Sequence, residues 1–558
     1  MKSYKKIKNL SLLVWIILFA NACTKDFKEL NTRPSLLSED LVTPEFLLSG
    51  VQYGAGGGMG ATDVGNYAGM RVRVDNAPFV DGFDDGAWYA AYTSFANNLA
   101  AIIRKTKDKP ELVNKKAIAR IMKVWIYSQA TDIYGDIPYF EANKAPEEAI
   151  PNPKYDTQKS IYEDFFKELK EAAAELDAGK ESYGDADLYY GGNVSKWKKF
   201  ANSLRLRLAL RVRYADPQMA TANMSDLQET DLIVSRSDDA AIYTANDIEE
   251  HRNDGYNDLV NRPNDDILGH NLIGEALLDA LVGNSDPRNP LDPRTKVIAD
   301  TAKAAWPRSL GLPYFGFRAQ PLLGDVPVEN KYPYGCASTS TISLFWFVPV
   351  IEQPILRSSE VYFALAEAAL FNLRPGDANA YFKKGIEAGI KEVQDLYNKG
   401  KDQMPGVLKL VYGDNFDVNS YLAYTEMKQS EIDAFLASSV TTLTGSNEEK
   451  LEQIMNQKLI TLPSELEGWS EWRRTGYPRV LVAANEQSTL KGVSPRRKHY
   501  PNAERLINSV NFNEAVTRLG GKDDLLKRVW WDANTEAPRK HPGTVLSQPK
   551  PWPPCISP

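Results

Sequence analysis

Few residue sets in this sequence could make or break a covalent bond. Its four histidines, His251, His270, His499 and His541, are scattered. None stands in the His-x-x-x-His or Cys/His spacing that holds zinc or iron. The chain has no Gly-x-Ser-x-Gly elbow, phosphate-binding loop or dinucleotide fingerprint. The glycine run from Gly54 to Gly60 lacks the Lys-Ser/Thr ending that phosphate binding needs. Adjacent carboxylates occur at Asp84–Asp85, Asp238–Asp239 and Asp265–Asp266. A glycosidase holds two carboxyls across a cleft, roughly 5–10 Å apart. Adjacency in sequence says nothing of that, so these pairs read as solvated turn acids. Arg205, Arg207, Arg211 and Arg213 spread around a helix axis rather than forming one stripe. They read as ion-pair partners of acids on neighbouring helices, as do Arg473–Arg474 and Arg496–Arg497. No cofactor is expected.

The residue types do suit recognition of a sugar. A sugar ring has an apolar C–H face, which flat aromatic rings cover, and a rim of hydroxyls, which amides, acids and arginines bond. Aromatics next to such groups occur at Asn66-Tyr67, Phe83-Asp84 and Trp88-Tyr89, and a cluster runs from Trp306 to Trp346. The candidate ligand-binding residues are therefore Tyr67, Phe83, Trp88, Tyr89, Trp306, Tyr314, Phe317, Tyr332 and Trp346. Trp125, Trp197, Trp469 and Trp472 lie in patterned helices and are expected in the core.

The elements that would position them are helices. Asn114 to Ala130 carries Ile118, Ile121 and Trp125 on one stripe, with Lys115, Lys116, Arg120 and Lys123 on the other side. Gly135 and Pro138 end it in the corner Thr131-Asp-Ile-Tyr-Gly-Asp-Ile-Pro-Tyr139. Two readings stay open there: a structural turn, or a ligand or metal site. Helix pairs are expected at Tyr89 to Lys107 with Asn114 to Ala130, Asp156 to Asp177 with Ser195 to Tyr214, Ser358 to Asn372 with Ala378 to Val393, and within Asn447 to Arg474. Asp377 is the natural N-cap after a Pro-Gly break. A further helix is expected at Leu41 to Tyr53, whereas Gly54 to Gly69 reads as a flexible loop. Residues 233–354 are rich in Pro, Gly, Asn and aromatics and read as an irregular, loop-rich lobe. Gly400 to Ser446 reads as a second loop-rich insertion.

Several of these stretches share a family likeness. The corner resembles the Asp-x-Tyr-Gly-Asp-x-Pro-Tyr motif of the SusD/RagB-like nutrient-binding outer-membrane lipoproteins of Bacteroidetes. Trp469-Ser-Glu-Trp-Arg-Arg-Thr-Gly-Tyr-Pro478 resembles a second hallmark of that family. Tyr155-Asp-Thr-Gln158, Gly191 to Trp197, Ala201 to Arg207, Ala366-Glu-Ala368 and Pro495 to Pro501 follow in family order. The resemblance covers roughly Phe27 to Asp532. It implies a mostly α fold: four tetratricopeptide-like helix pairs forming a curved scaffold, with the irregular lobe packed on it. It implies a surface lipoprotein that captures oligosaccharide and passes it to a SusC-like TonB-dependent transporter, without catalysis. Peptide is the ligand in some branches. The rival readings are a secreted glycoside hydrolase and a structural transporter lid without glycan contacts.

Composition agrees with a large folded chain. Of 558 residues, 43% are hydrophobic and 25% charged. Residues 1–22 read as a signal peptide: Lys2, Lys5, Lys6 and Lys8, then the apolar run Leu10 to Ala20, too short to span a bilayer. Small residues leading into Cys23 resemble a lipobox, with Ala20 and Asn21 at atypical positions. Acylated Cys23 would anchor the protein to the outer membrane, and Lys25-Asp26 resembles the charged signal that sends such lipoproteins to the outward face. Residues 23–40 form the anchor and tether, 41–532 the helical-repeat domain, and 533–558 a disordered tail. Without the signal's four lysines the chain carries 62 basic against 73 acidic residues, which argues against nucleic acid. Cys336 and Cys555 are expected to stay unpaired.

Overall fold

The computed structural model describes residues 42–56, 64–72, 85–144, 148–261, 272–282, 290–300, 340–462, 465–480, 490 and 493–539. The principal helices are α1 (Pro44–Gly56), α2 (Asn97–Thr106), α3 (Val113–Tyr134), α4 (Gln158–Glu175), α5 (Val194–Val212), α6 (Ser358–Leu370), α7 (Ala378–Gly400), α8 (Asn447–Thr461) and α9 (Glu465–Thr475). The fold is mostly α. Helix α2 packs on α3, α3 on α4, α4 on α5, α5 on α6 and α6 on α7. A π-helical stretch, Ala90–Ala96, leads directly into α2.

Each pair forms for a local reason. Thr157, Asn193 and Asp377 cap α4, α5 and α7 with their side-chain oxygens. Helix α3 is buried nearly all round. Its polar side meets the acids of α4: Arg120 binds Glu168 at 2.8 Å, Glu171 at 2.6 Å and Glu175 at 3.0 Å. Small residues set the approach of α6 and α7. A Cβ at Gly385 would lie 2.8 Å from the Phe363 ring, so a larger residue would force the two helices apart.

Three expectations change. The first helix continues to Gly56, so Gly54 is helical, and a second helical turn occupies Val64–Tyr67. Gly400 to Ser446 is not loop-rich: it folds into Met404–Tyr412, Val418–Thr425 and Gln429–Leu436. These are too short to show a helical period, and each is fixed by packing and by local signals such as Pro405 in the first turn and the Asp417 cap. The chain also stays packed past 533, with Asn534 and Ala537 buried. The helices of the fourth expected pair both form, but α8 packs on α6 and α7 while α9 packs on Val64–Tyr67.

Within the irregular lobe, β1 (Ala240–Tyr243) pairs antiparallel with β2 (Glu352–Leu356), placing Tyr243 opposite Glu352. Strand β2 runs through Arg357 into α6, so this ribbon ties the lobe to the third helix pair.

Candidate functional site: a closed corner and an open cavity

The corner is saturated with donors. Gly135 ends α3 with φ 87° and ψ −124°, a positive-φ conformation that glycine adopts without a Cβ clash. Asp132 accepts from the Tyr162 hydroxyl at 2.6 Å and the Trp531 indole at 2.7 Å, with the Arg211 Nε 3.5 Å away. Burial raises the Asp132 carboxyl, against the pull of Arg211 and Arg473. Asp136 accepts from the Gln158 amide at 2.9 Å and Arg518 at 2.6 Å. The Tyr139 hydroxyl donates to Asp164 at 2.8 Å. Every acid of the corner is committed within the chain, so the turn is structural.

The arginines extend this closure into the helical core. Arg207 pairs with Glu360 at 2.7 Å and Arg205 with Asp226 at 2.9 Å. Arg211 pairs with Glu467, and Arg213 and Arg474 share Glu367, which is fully buried. Arg473 stacks on Trp469, 3.6 Å from the ring centroid, and donates to the Asp132 carbonyl at 2.6 Å. Arg496 pairs with Asp532 and Arg497 with Asp523. The expectation of structural ion pairs holds for these arginines except Arg473, which is held by the Asp132 and Arg496 carbonyls, the Ser470 hydroxyl and the Trp469 ring. Asp238 and Asp239, read as solvated, are instead buried and paired with Lys199 and Arg236.

The candidate ligand residues divide. Tyr67 and Trp88 are core, which corrects their expected role. Tyr67 packs edge-on to Trp469 at 5.4 Å, and Trp88 sits among Tyr92, Tyr134, Tyr155 and Tyr500. Tyr89, one residue on, is 47% exposed. Phe83, Trp306, Tyr314, Phe317 and Tyr332 lie outside the described residues. Trp346, carried on the short turn Leu344–Phe347, lines a cavity of about 260 Å³. Trp125, Trp197, Trp469 and Trp472 are core as expected.

That cavity lies between the lobe and α7. Trp346, Val350, Ile351 and Leu396 give it an apolar wall, and Ile298, Val393 and Ile460 continue it. Its polar wall is Tyr243, Glu352, Arg357, Glu392, Lys399 and Gln403. Tyr243 and the Lys399 side chain are about half exposed, at 50% and 51%. From them a relay runs inward: Lys399 donates to the Tyr243 hydroxyl at 2.8 Å, and Tyr243 donates to Glu352 at 2.8 Å. Arg236 also donates twice to Glu352. Burial pushes Glu352 up, but the Arg236 bonds and the charge of Arg357 hold it at about 2. Burial pushes Glu392 up to about 7, and Arg357 pulls against it.

Arg357 is the unusual member. Its carboxylate neighbours stand at 3.6 Å (Glu352) and 3.7 Å (Glu392), and its Nε has no acceptor. Those distances lie beyond hydrogen-bond range. The indole N–H of Trp346 is likewise buried without an acceptor among the described residues. Tyr243, Arg357, Glu392, Lys399 and Gln403 were not singled out from sequence. One signal was available: a helix α7 drawn to Gly400 rather than Val393 brings Lys399 onto the face of Glu392 and Leu396.

Among the described residues, no helix is long and apolar enough to cross a membrane, and no cluster of His, Cys, Asp or Glu is arranged for a metal ion. Residues 67–501 match a family described as SusD-like, starch-binding, associating with the outer membrane. The chain belongs to the SusD-like family. Members of known structure align over nearly their whole length. A chitin-binding protein is 28% identical, with a TM-score of 0.70 over 88% of this chain and 100% of its own. A SusD homologue from Bacteroides uniformis is 25% identical, with a TM-score of 0.63 over 88% of this chain and 97% of its own. A chitin-binding SusD homologue from Flavobacterium johnsoniae shares the fold at 23% identity and a TM-score of 0.61, over 89% of this chain and 96% of its own. No curated protein matches the chain significantly. Glycan binding and outer-membrane association are therefore properties of the family to which this SusD-like chain belongs.

Proposed function

We propose that the chain is a cell-surface lipoprotein that binds oligosaccharide without cleaving it and hands it to a SusC-like TonB-dependent transporter. Acylated Cys23 would hold it on the outer membrane after loss of residues 1–22. Several acyl chains at one residue give stable anchoring. The observation that carries the binding role is the cavity with its aromatic wall and unmet Arg357 donors, in a chain of this family. The family description and the chitin-binding relative make starch- and chitin-derived oligosaccharides the first ligands to try.

One observation favours a second reading, a glycoside hydrolase. Glu352 and Glu392 line one cavity with ionisations pushed far apart, to about 2 and about 7, the pattern of a paired base and acid. Against it, Glu352 is bonded by Arg236 and Tyr243, and Glu392 is bonded by Ser359 and only 3% exposed. A glycosidase base must reach water or the sugar.

Both readings meet in one experiment. The mature chain from Cys23 onward, held in detergent, is titrated calorimetrically with malto-, chito- and uronate-containing oligosaccharides and peptides, and the same samples are analysed for products. Saturable binding of a glycan without product is expected. Product formation overturns the binding-protein reading in favour of the hydrolase. For the anchor, Cys23→Ser should move the protein out of the membrane fraction. For delivery, the SusC-like barrel should copurify with the wild-type chain.

A further inference from the structure

The unmet donors of the cavity say more about its ligand than the aromatic wall does. A guanidinium has five N–H donors in a planar fork, and its natural counterpart is a carboxylate. The core shows how this chain normally uses that fork. Arg207 donates to Glu360 through two nitrogens, each at 2.7 Å, and Arg120 reaches Glu168 with two at 2.8 and 3.0 Å. Arg357 makes no hydrogen bond among the described residues, although only 11% of its side chain is exposed and two carboxylates lie nearby. Those carboxylates are engaged elsewhere: Glu352 by Arg236 and Tyr243, Glu392 by the Ser359 amide at 3.3 Å and hydroxyl at 2.9 Å. A second cation, Lys399, stands at the half-exposed rim with one N–H committed to Tyr243. At about 260 Å³ the cavity lies just below the volumes that hold drug-sized ligands, which suits one sugar ring rather than a chain. Trp346, Val350, Ile351 and Leu396 offer that ring an apolar wall.

We propose that this cavity is a subsite for one carboxylate-bearing sugar unit, a uronic acid, whose carboxylate takes the free donors of Arg357 while Lys399 holds the rim. The inference rests on the glycan-binding reading and narrows its substrate class. It carries a consequence for protons. The charged groups around Glu392 are Arg357, Arg236, Asp239 and Glu352, with Lys399 on its own helix. An incoming carboxylate adds a negative charge beside Glu392, which favours the protonated form of that side chain. Binding therefore takes up a proton near pH 7 and tightens as the pH falls.

The test titrates the mature chain in detergent with galacturonate-containing disaccharide, its neutral galactose counterpart, and a short peptide with a free C-terminus. Titrations run at pH 6 and pH 8, and at pH 7 in phosphate and in Tris, whose ionisation heats differ. The acidic disaccharide is expected to bind at least about tenfold more tightly than the neutral one, the discrimination of one good charge-assisted bond. The apparent heat should differ between buffers in the sense of proton uptake. Arg357→Lys, which keeps the charge and loses the fork, should cost about tenfold in affinity for the acidic sugar. Lys399→Gln, at the exposed rim and so independent of folding, should cost a few-fold. Glu392→Gln should abolish the buffer dependence. Equal binding of neutral and acidic sugars, or acidic binding indifferent to both Arg357→Lys and Lys399→Gln, overturns the uronate subsite and leaves glycan binding intact. Tighter binding of the peptide overturns it in favour of a peptide carboxylate. No sugar binding in any arm sinks the glycan-binding reading itself and this subsite with it.

Discussion

The helical core and the cavity are built from the same residue types and use them in opposite ways. In the core, Arg474 holds Glu367 and Glu471, Arg211 holds Glu467, and Asp132 receives two neutral donors and a nearby arginine. In the cavity, Arg357 stands between two glutamates and bonds neither. Taking charges out of water is costly, and the cost is recovered only where every lone pair and proton finds a partner. The core comes nearer to that condition and is scaffold: each of its arginines donates at least one hydrogen bond, although the Nε of Arg211, Arg473 and Arg474 has no acceptor among the described residues. The cavity falls short by one fork of donors, and the shortfall is the capacity to bind. Burial alone does not distinguish a structural arginine from a binding one; the count of its hydrogen bonds does.

The contrast can be broken at four places. Glu367→Gln removes the carboxylate shared by Arg213 and Arg474 and should cost about 3 kcal/mol or more, read as a lower urea midpoint. Asp132→Asn should cost about 2–3 kcal/mol, because the Tyr162, Trp531 and Arg211 donors then meet an amide. If either variant unfolds like wild type, the core is less dependent on saturation than its geometry says. In the cavity the sign reverses. Glu392 is an acid whose folded value, about 7, lies above its ordinary 4.5. The folded state therefore binds the proton more tightly, and this group's contribution to stability falls as pH rises from 4.5 to about 7. Glu392→Gln should flatten that slope and be the more stable protein at pH 8, measured by thermal melting across the range. The smallest effect is expected at the rim: Tyr243→Phe should change stability by no more than about 0.5 kcal/mol, while weakening sugar binding by releasing the relay from Lys399 to Glu352.

How far the sequence carries depends on the length of each signal. The helices α3 to α7 are long enough for their apolar period to declare them, and α4, α5 and α7 add a capping side chain; the arginines of α5 found their acids as charge logic requires. The three helices between Met404 and Leu436 are of eight or nine residues, barely two turns, so composition was the only guide and it misled. The site was harder to see. Trp88 and Tyr89 look alike in sequence, yet neighbours on a helix point roughly 100° apart, and here only Tyr89 faces water. Tyr243, Glu352, Arg357 and Glu392 come together around one cavity through the pairing of β1 with β2 and the packing of α7, although Tyr243 and Glu392 stand 149 positions apart in the chain. No local pattern marks such a set.

The bond from Trp531 to Asp132 joins positions 399 residues apart. Asp532 closes on Arg496, Asn534 on the Arg474 carbonyl, and Val529 fills the space beside Gly135. The corner that ends α3 is thus completed by residues far downstream of it in the chain. Contacts this distant in sequence are slow to form, because a long loop must close before they return any energy. A folding chain can build its helix pairs early, but Asp132 stays short of a donor until Trp531 docks. Residues 529–534 work as a latch that closes late in folding, and a chain shortened before residue 529 should be degraded rather than merely weakened.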